Sequence, residues 1–185
     1  MKVLIACEFS GRVRDAFLER GHDAVSCDLI PNETPGPHHM GDVCDILKDG
    51  WDLMIAHPPC TYLAVSGARW FNLPGRREKQ EEALKLVSYL LRANIDMICL
   101  ENPIGVISTR IYKPTQIIQP WQFGDPFKKA TCLWLKNLPA LIPTKIMQER
   151  YPGVHYESPG PDRQKNRSRT YPGIAAAMAD QWGSL

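Results

Sequence analysis

No stretch of the 185-residue chain approaches 18 consecutive apolar residues, so no membrane-spanning helix is expected. The apolar start, Met1 to Cys7, turns polar at Glu8, which is too short for a signal peptide. The six cysteines, at positions 7, 27, 44, 60, 99 and 132, include no C-x-x-C pair, and the five histidines lack ligand spacing relative to them. Structural zinc and a disulfide framework are therefore both disfavoured, no metal site is expected, and a reduced, cytoplasmic setting follows. The turn Phe9-Ser10-Gly11 carries one glycine where a dinucleotide fingerprint carries three, which leaves a pyrophosphate cradle without support. Internal repeats and low-complexity tracts are also missing. At this length two ordinary domains with a linker do not fit, and residues 1–185 are expected to form a single domain.

What the sequence does contain is an alternation of buried strands and helices. Val3 to Cys7 is a continuous apolar run, as expected of a strand covered on both faces. Val13, Ala16 and Phe17 then fall at helical spacing before Gly21 ends the helix, and Ala24 to Asp28 reads as a second strand. Pro31 to Gly41, rich in proline, glycine and histidine, reads as a loop, and Val43 to Leu47 as a short helix. Trp51 to Ala56 is the next buried strand, followed by a loop-like stretch from His57 to Arg77. An amphipathic helix is predicted over Arg77 to Ala93, with Leu84, Val87, Leu90 and Leu91 on one face, and a strand over Ile95 to Leu100. Beyond residue 100, where ten of the sixteen prolines lie, only a strand at Thr131 to Leu135 and a helix at Gly173 to Trp182 stand out. This order predicts an α/β fold, a mostly parallel twisted sheet with helices on both faces.

In such sheets ligands bind outside the carboxyl ends of the strands, a rule that selects Glu8–Gly11, Asp28, His57–Cys60 and Glu101–Pro103. Cys60 follows two prolines at a strand mouth, a stiff setting for a nucleophile; a small buried hydrophobe is the commoner fate of a cysteine. Glu101, after four apolar residues, reads equally well as a stabiliser of the next turn or as a general acid with a raised pKa. Asp28 stands where a carboxylate accepts hydrogen bonds from a ribose, so a nucleoside-bearing cofactor without pyrophosphate fits, S-adenosyl-L-methionine among them. Charge is divided unevenly: residues 1–60 hold five Lys/Arg against ten Asp/Glu, and residues 61–185 hold seventeen against ten. A polyanionic partner on one side follows, with ordinary surface scatter as the alternative. Arg69, Trp70, Phe71, Arg76 and Arg77 mix basic and aromatic residues directly after Cys60, a composition suited to phosphate contact and base stacking.

Phe9-Ser10-Gly11, Pro58-Pro59-Cys60 and Glu101-Asn102-Pro103, in that order and each at a predicted strand end, resemble motifs of the DNA cytosine-C5 methyltransferase family over residues 1 to about 105. The resemblance implies a Rossmann-like, S-adenosyl-L-methionine-dependent methyltransferase fold. It implies a cofactor pocket of Phe9, Ser10, Gly11, Asp28, Leu29, Asp42, Val43 and Pro58. Cys60 would add to C6 of the pyrimidine while Glu101, on a turn fixed by Asn102, holds N3 and the exocyclic amine. Short members of this kind are typical of phages.

The chain also departs from the family pattern. Thr61-Tyr62 replaces the glutamine after Pro-Cys, and the Gln-x-Arg-x-Arg motif has no clean counterpart. Lys128 and Lys129 after Phe123-Gly124, or Arg167 and Arg169, stand in for its arginines. About 30 residues between Leu138 and Arg167 replace a large target-recognition domain, which implies minimal selectivity, a protein partner for target selection, or a free pyrimidine nucleotide as substrate instead of DNA. A non-catalytic nucleic-acid-binding protein with a degenerate methyltransferase fold is the remaining alternative. A zinc deaminase is rejected, because His155-Tyr156-Glu157 lies after Pro59-Cys60 and the second cysteine is missing.

Overall fold

A computed structural model describes residues 1–71, 73–153, 158 and 160–185, and of Trp70 the backbone alone. Seven strands form one sheet: β1 (Lys2–Ala6), β2 (Asp23–Asp28), β3 (His38–Met40), β4 (Leu53–Ala56), β5 (Met97–Pro103), β6 (Gln116–Ile118) and β7 (Thr131–Lys136). Their spatial order is β3-β2-β1-β4-β5-β7-β6. The first five named in sequence are mutually parallel, and β7 runs antiparallel to both β5 and β6. The helices are α1 (Arg12–Leu18), α2 (Arg76–Leu91), α3 (Ile107–Arg110), α4 (Arg163–Ser168) and α5 (Pro172–Trp182). Among the described residues, no helix is long and apolar enough to cross a membrane.

Side chains that alternate along a strand point to opposite faces, and here each face has its own core. Val3, Ile5, Leu53 and Ile55 pack with Val13 and Phe17 of α1 and Ile174, Met178 and Trp182 of α5. Leu4, Ala6, Met54 and Ala56 pack with Leu84, Val87 and Leu90 of α2 and with Trp51. Covering both faces is why the central strands read as unbroken apolar runs, each large buried side chain contributing roughly 1.5–3 kcal/mol. The expected α/β class, with its mostly parallel sheet, is the observed one.

Several expected elements differ in detail. The segment 31–41 is not all loop: His38–Met40 pairs with Ser26–Asp28 as edge strand β3. Between His57 and Arg77 a 3₁₀ segment spans Val65–Trp70, and Val43–Asp45 is a 3₁₀ turn instead of a longer helix. Strand β5 runs past Leu100 to Pro103 because β7 pairs with it as far as Pro103↔Thr131, whereas its pairing with β4 stops at Ala56↔Leu100. Glu101, Asn102 and Pro103 are thus supported on one edge only. Their other edge faces the chain leaving β4.

Candidate active site

The sheet's connections leave in opposite directions from β1 and β4, and the crevice outside their carboxyl ends is the expected ligand position. Beyond β1 the chain turns through Cys7, at φ 58, and Gly11, at φ 72. A Cβ on Gly11 would lie 2.2 Å from Thr34 Oγ1, so only glycine fits there. Buried Glu8 replaces a conventional cap: its carboxylate accepts the Val13 N–H at 2.8 Å, the Ser10 hydroxyl at 3.1 Å and the Arg14 N–H at 3.3 Å. Arg14, wholly buried, donates to Ser26 Oγ at 3.1 Å and to Thr34 Oγ1 at 2.7 Å, and pairs with Asp15 at 2.7 Å. These bonds pin the β2–β3 connection against α1.

Around this turn lie most of the residues assigned to the cofactor. Glu33 donates its N–H to the Phe9 carbonyl at 2.8 Å. Asp28 accepts the Ile30 N–H at 3.2 Å, and burial raises its pKa against the Ile30 and Leu29 amides. Leu29 is 76% exposed. Exposed Asp42 accepts the Cys44 N–H at 2.9 Å, which holds its carboxyl low. Asp28 and Asp42 converge electrostatically on Cys7, whose thiol is pushed up to about 12, chiefly by burial. Ser10 and Val43, by contrast, are buried, the hydroxyl spent on Glu8 and the valine packed in the core.

The chain leaving β4 carries His57, Pro58, Pro59 and Cys60. The His57 N–H donates to the Ala6 carbonyl at 2.8 Å, and buried Asn102 donates its Nδ2 to the Pro58 carbonyl at 2.8 Å. The Cys60 carbonyl accepts from Leu63 and Ala64 at 3.0 and 2.9 Å, and Val106 N–H reaches the Leu63 carbonyl at 2.9 Å. A Cβ on Gly105 would sit 2.1 Å from that carbonyl, so the Cys60 loop lies directly on the exit from β5. Asn102, expected to fix the turn that carries Glu101, is also a clamp on the Cys60 loop through the Pro58 carbonyl.

Glu101 lies within electrostatic reach of Cys60. Its Oε2 lies 3.0 Å from His57 Nδ1, with the two side chains 12% and 9% exposed. Burial alone would raise the Glu101 pKa, but the His57 hydrogen bond, then Lys129, His57's charge and Thr131, bring it below the ordinary glutamate range. The raised-pKa reading of Glu101 is therefore corrected: a carboxylate this well partnered stays ionised. Burial and then Glu101 push the half-buried Cys60 thiol up, while Lys129 and Arg167 pull it down. Cys60 is thus within the electrostatic influence of Glu101, Lys129 and Arg167.

Helix α4 crosses this crevice. Gln164 Nε2 donates to Thr61 Oγ1 at 2.9 Å, and Lys165 Nζ lies 5.2 Å from the Phe9 ring centroid. Lys165 and Arg169 both pair with Glu33, at 3.1 and 2.7 Å. Arg69, Arg77 and Lys128 are exposed, and Arg76 packs 4.7 Å from the Tyr62 ring centroid while donating to the Thr61 carbonyl at 3.4 Å. The side chain of Trp70 and residues His155 to Glu157 lie outside the described residues. His57 and Glu8, selected only by their place at strand ends, had been given no role.

No protein-family model and no curated protein matches the sequence. Among solved structures, one from E. coli is described as a candidate DNA modification methyltransferase encoded within a prophage. It aligns with a TM-score of 0.51 and 16% identity, over 86% of this chain and 55% of that one. The two share a fold. This chain spans little more than half the length of that protein.

Proposed function

We propose that the protein transfers a methyl group from S-adenosyl-L-methionine to C5 of a cytosine in DNA, through a covalent intermediate on Cys60. The observation that carries this reading is the loop of Cys60, stiffened by prolines and bound to β5 through Asn102–Pro58 and His57–Glu101, which puts the thiol within the electrostatic influence of Glu101, Lys129 and Arg167 at the carboxyl ends of parallel strands. The prophage origin and DNA-modification description of the structural neighbour lend support.

The cofactor's residues would be Phe9 for the adenosine face, Asp28 for the ribose and Asp42 for the adenine edge, with Leu29 an exposed apolar surface against the ring. Their chemistry suits a nucleoside: two carboxylates, an aromatic ring and an aliphatic side chain around a tight turn, with no cradle for pyrophosphate. The group supplies an electrophilic methyl when bound. Cys60 adds to C6 as thiolate; burial and then Glu101 hold its pKa above the ordinary thiol value, and Lys129 and Arg167 offset part of that rise. Glu101 holds N3 and the exocyclic amine, so that C5 becomes enamine-like. Loss of the C5 proton then expels the sulfur. For a duplex substrate the base must be flipped out of the stack.

The test is incubation with labelled S-adenosyl-L-methionine and, separately, duplex DNA, single-stranded DNA and dCMP. Wild type is expected to label DNA and Cys60→Ala to lose transfer; label transferred equally by Cys60→Ala removes the covalent step. A free pyrimidine nucleotide is the second reading. It is favoured by the short stretch between β7 and α4, residues 137–162, and labelling of dCMP alone would establish it.

A further inference from the structure

We propose that His57 is a positioning residue that acts through Glu101, holding the proton that Glu101 passes to the base; this rests on the methyl-transfer reading above. The hydrogen bond from His57 Nδ1 to Glu101 Oε2 is 3.0 Å. Its backbone is fixed on both sides, by the Ala6 carbonyl and by the grip of Asn102 on Pro58. The other ring nitrogen, Nε2, is buried with no hydrogen-bond partner among the described residues. A buried imidazole that makes one polar contact, and makes it to a catalytic carboxylate, has its ring orientation and proton exchange tied to that carboxylate.

The chemistry needs such a group. Sulfur addition at C6 drives electrons toward N3, which must gain a proton. Glu101 is held ionised, so it meets the base with no proton of its own. The charged and titratable groups around it are few. Lys129 precedes β7, and the thiols of Cys99 on β5 and Cys132 on β7 are held protonated by burial and by Glu101 itself. Cys60 supplies the sulfur, and Arg167 of α4 acts on Cys60. Of these, His57 alone is an imidazole in direct hydrogen-bond contact with Glu101, at 3.0 Å.

The steps balance. The Cys60 thiol releases its proton to water and the sulfur bonds to C6. As an imidazolium, His57 passes its Nδ1 proton to Glu101 and is left neutral with the other proton on Nε2, and Glu101 protonates N3. After C5 gains the methyl, its proton leaves to water, the S–C6 bond breaks, and the departing thiolate takes a proton back from water. N3 then returns its proton through Glu101 to His57. The net change is one methyl gained and one proton released.

Full-length wild type, His57→Gln and His57→Asn are compared for release of tritium from C5 of cytosine in DNA and for methyl transfer across pH 5.5–9. Gln and Asn keep a donor but carry no exchangeable charge. The expected result is a fall in kcat of about 10²-fold, the usual scale for a lost proton-transfer group, with KM values for DNA and cofactor within about twofold. The pH dependence of kcat should differ between wild type and both variants. An active wild type alongside variants with unchanged kcat and pH profile overturns the inference alone, as does a loss confined to KM or to thermal stability. A wild type that neither exchanges C5 tritium nor methylates any substrate overturns the methyl-transfer reading and this inference with it.

Discussion

Cys60 sits in a balance of opposed charges, and single substitutions should tip it in predictable directions. Burial and Glu101 disfavour its thiolate, whereas Lys129 and Arg167 favour it. Lys129→Met should therefore move the pH midpoint of Cys60 alkylation upward, and Glu101→Gln should move it downward, because one removes a cation and the other an anion. Peptide-resolved rates of iodoacetamide labelling against pH read both shifts; a midpoint unmoved by Lys129→Met would place the lysine outside the electrostatic reach of the sulfur. Cys60 and Glu101 could be singled out from sequence because one follows two prolines at a strand mouth and the other follows an apolar run. The partnership of Glu101 with His57 was not, since its members stand 44 positions apart and only the strand pairing of β4 beside β5 brings them into contact. Asn102 was legible as a fixed point of the turn, but which carbonyl it holds is a property of the folded loop.

Helix α4 shows why some elements leave no trace in a hydrophobic pattern. Its sequence, RQKNRS, has no apolar face and no buried residue; it is held by bonds to distant partners, Thr61 and Glu33. Likewise β3 and β6 are three-residue strands at the sheet edges, too short to announce a period. The Glu33 carboxyl is lowered to about 2, first by its hydrogen bond with Arg169 and then by Lys165, against the opposing effect of burial. A carboxylate whose folded value is depressed stabilises the pairing above its unfolded value and loses that effect only as pH falls toward about 2. Mild acid should thus leave α4 in place, while salt, which screens exposed pairs, should loosen it. Glu33→Gln should speed tryptic cleavage at Arg163, Lys165 and Arg167 severalfold at neutral pH, as followed by mass spectrometry; an unchanged cleavage rate would mean that Gln164–Thr61 suffices to hold the helix.

For the molecule as a whole, two separate cores clasp a single sheet, and the strands they enclose were the readable part of the sequence. Removing side chain from the α2 face should cost stability without touching the crevice: Leu90→Ala is expected to destabilise by roughly 2–5 kcal/mol, measured by urea denaturation with the alkylation midpoint of Cys60 unchanged in the folded range. The sheet's one reversal has a further consequence. A strand laid parallel to β5 would enter the sheet at the rim farthest from Cys60. Because β7 runs the other way, its first residue pairs with the last residue of β5, and the segment feeding it, Lys129 included, arrives on the reactive side. A connecting loop thereby becomes a supplier of cationic groups, and changes in the length or charge of residues 119–130 would retune the sulfur without disturbing either layer of helices.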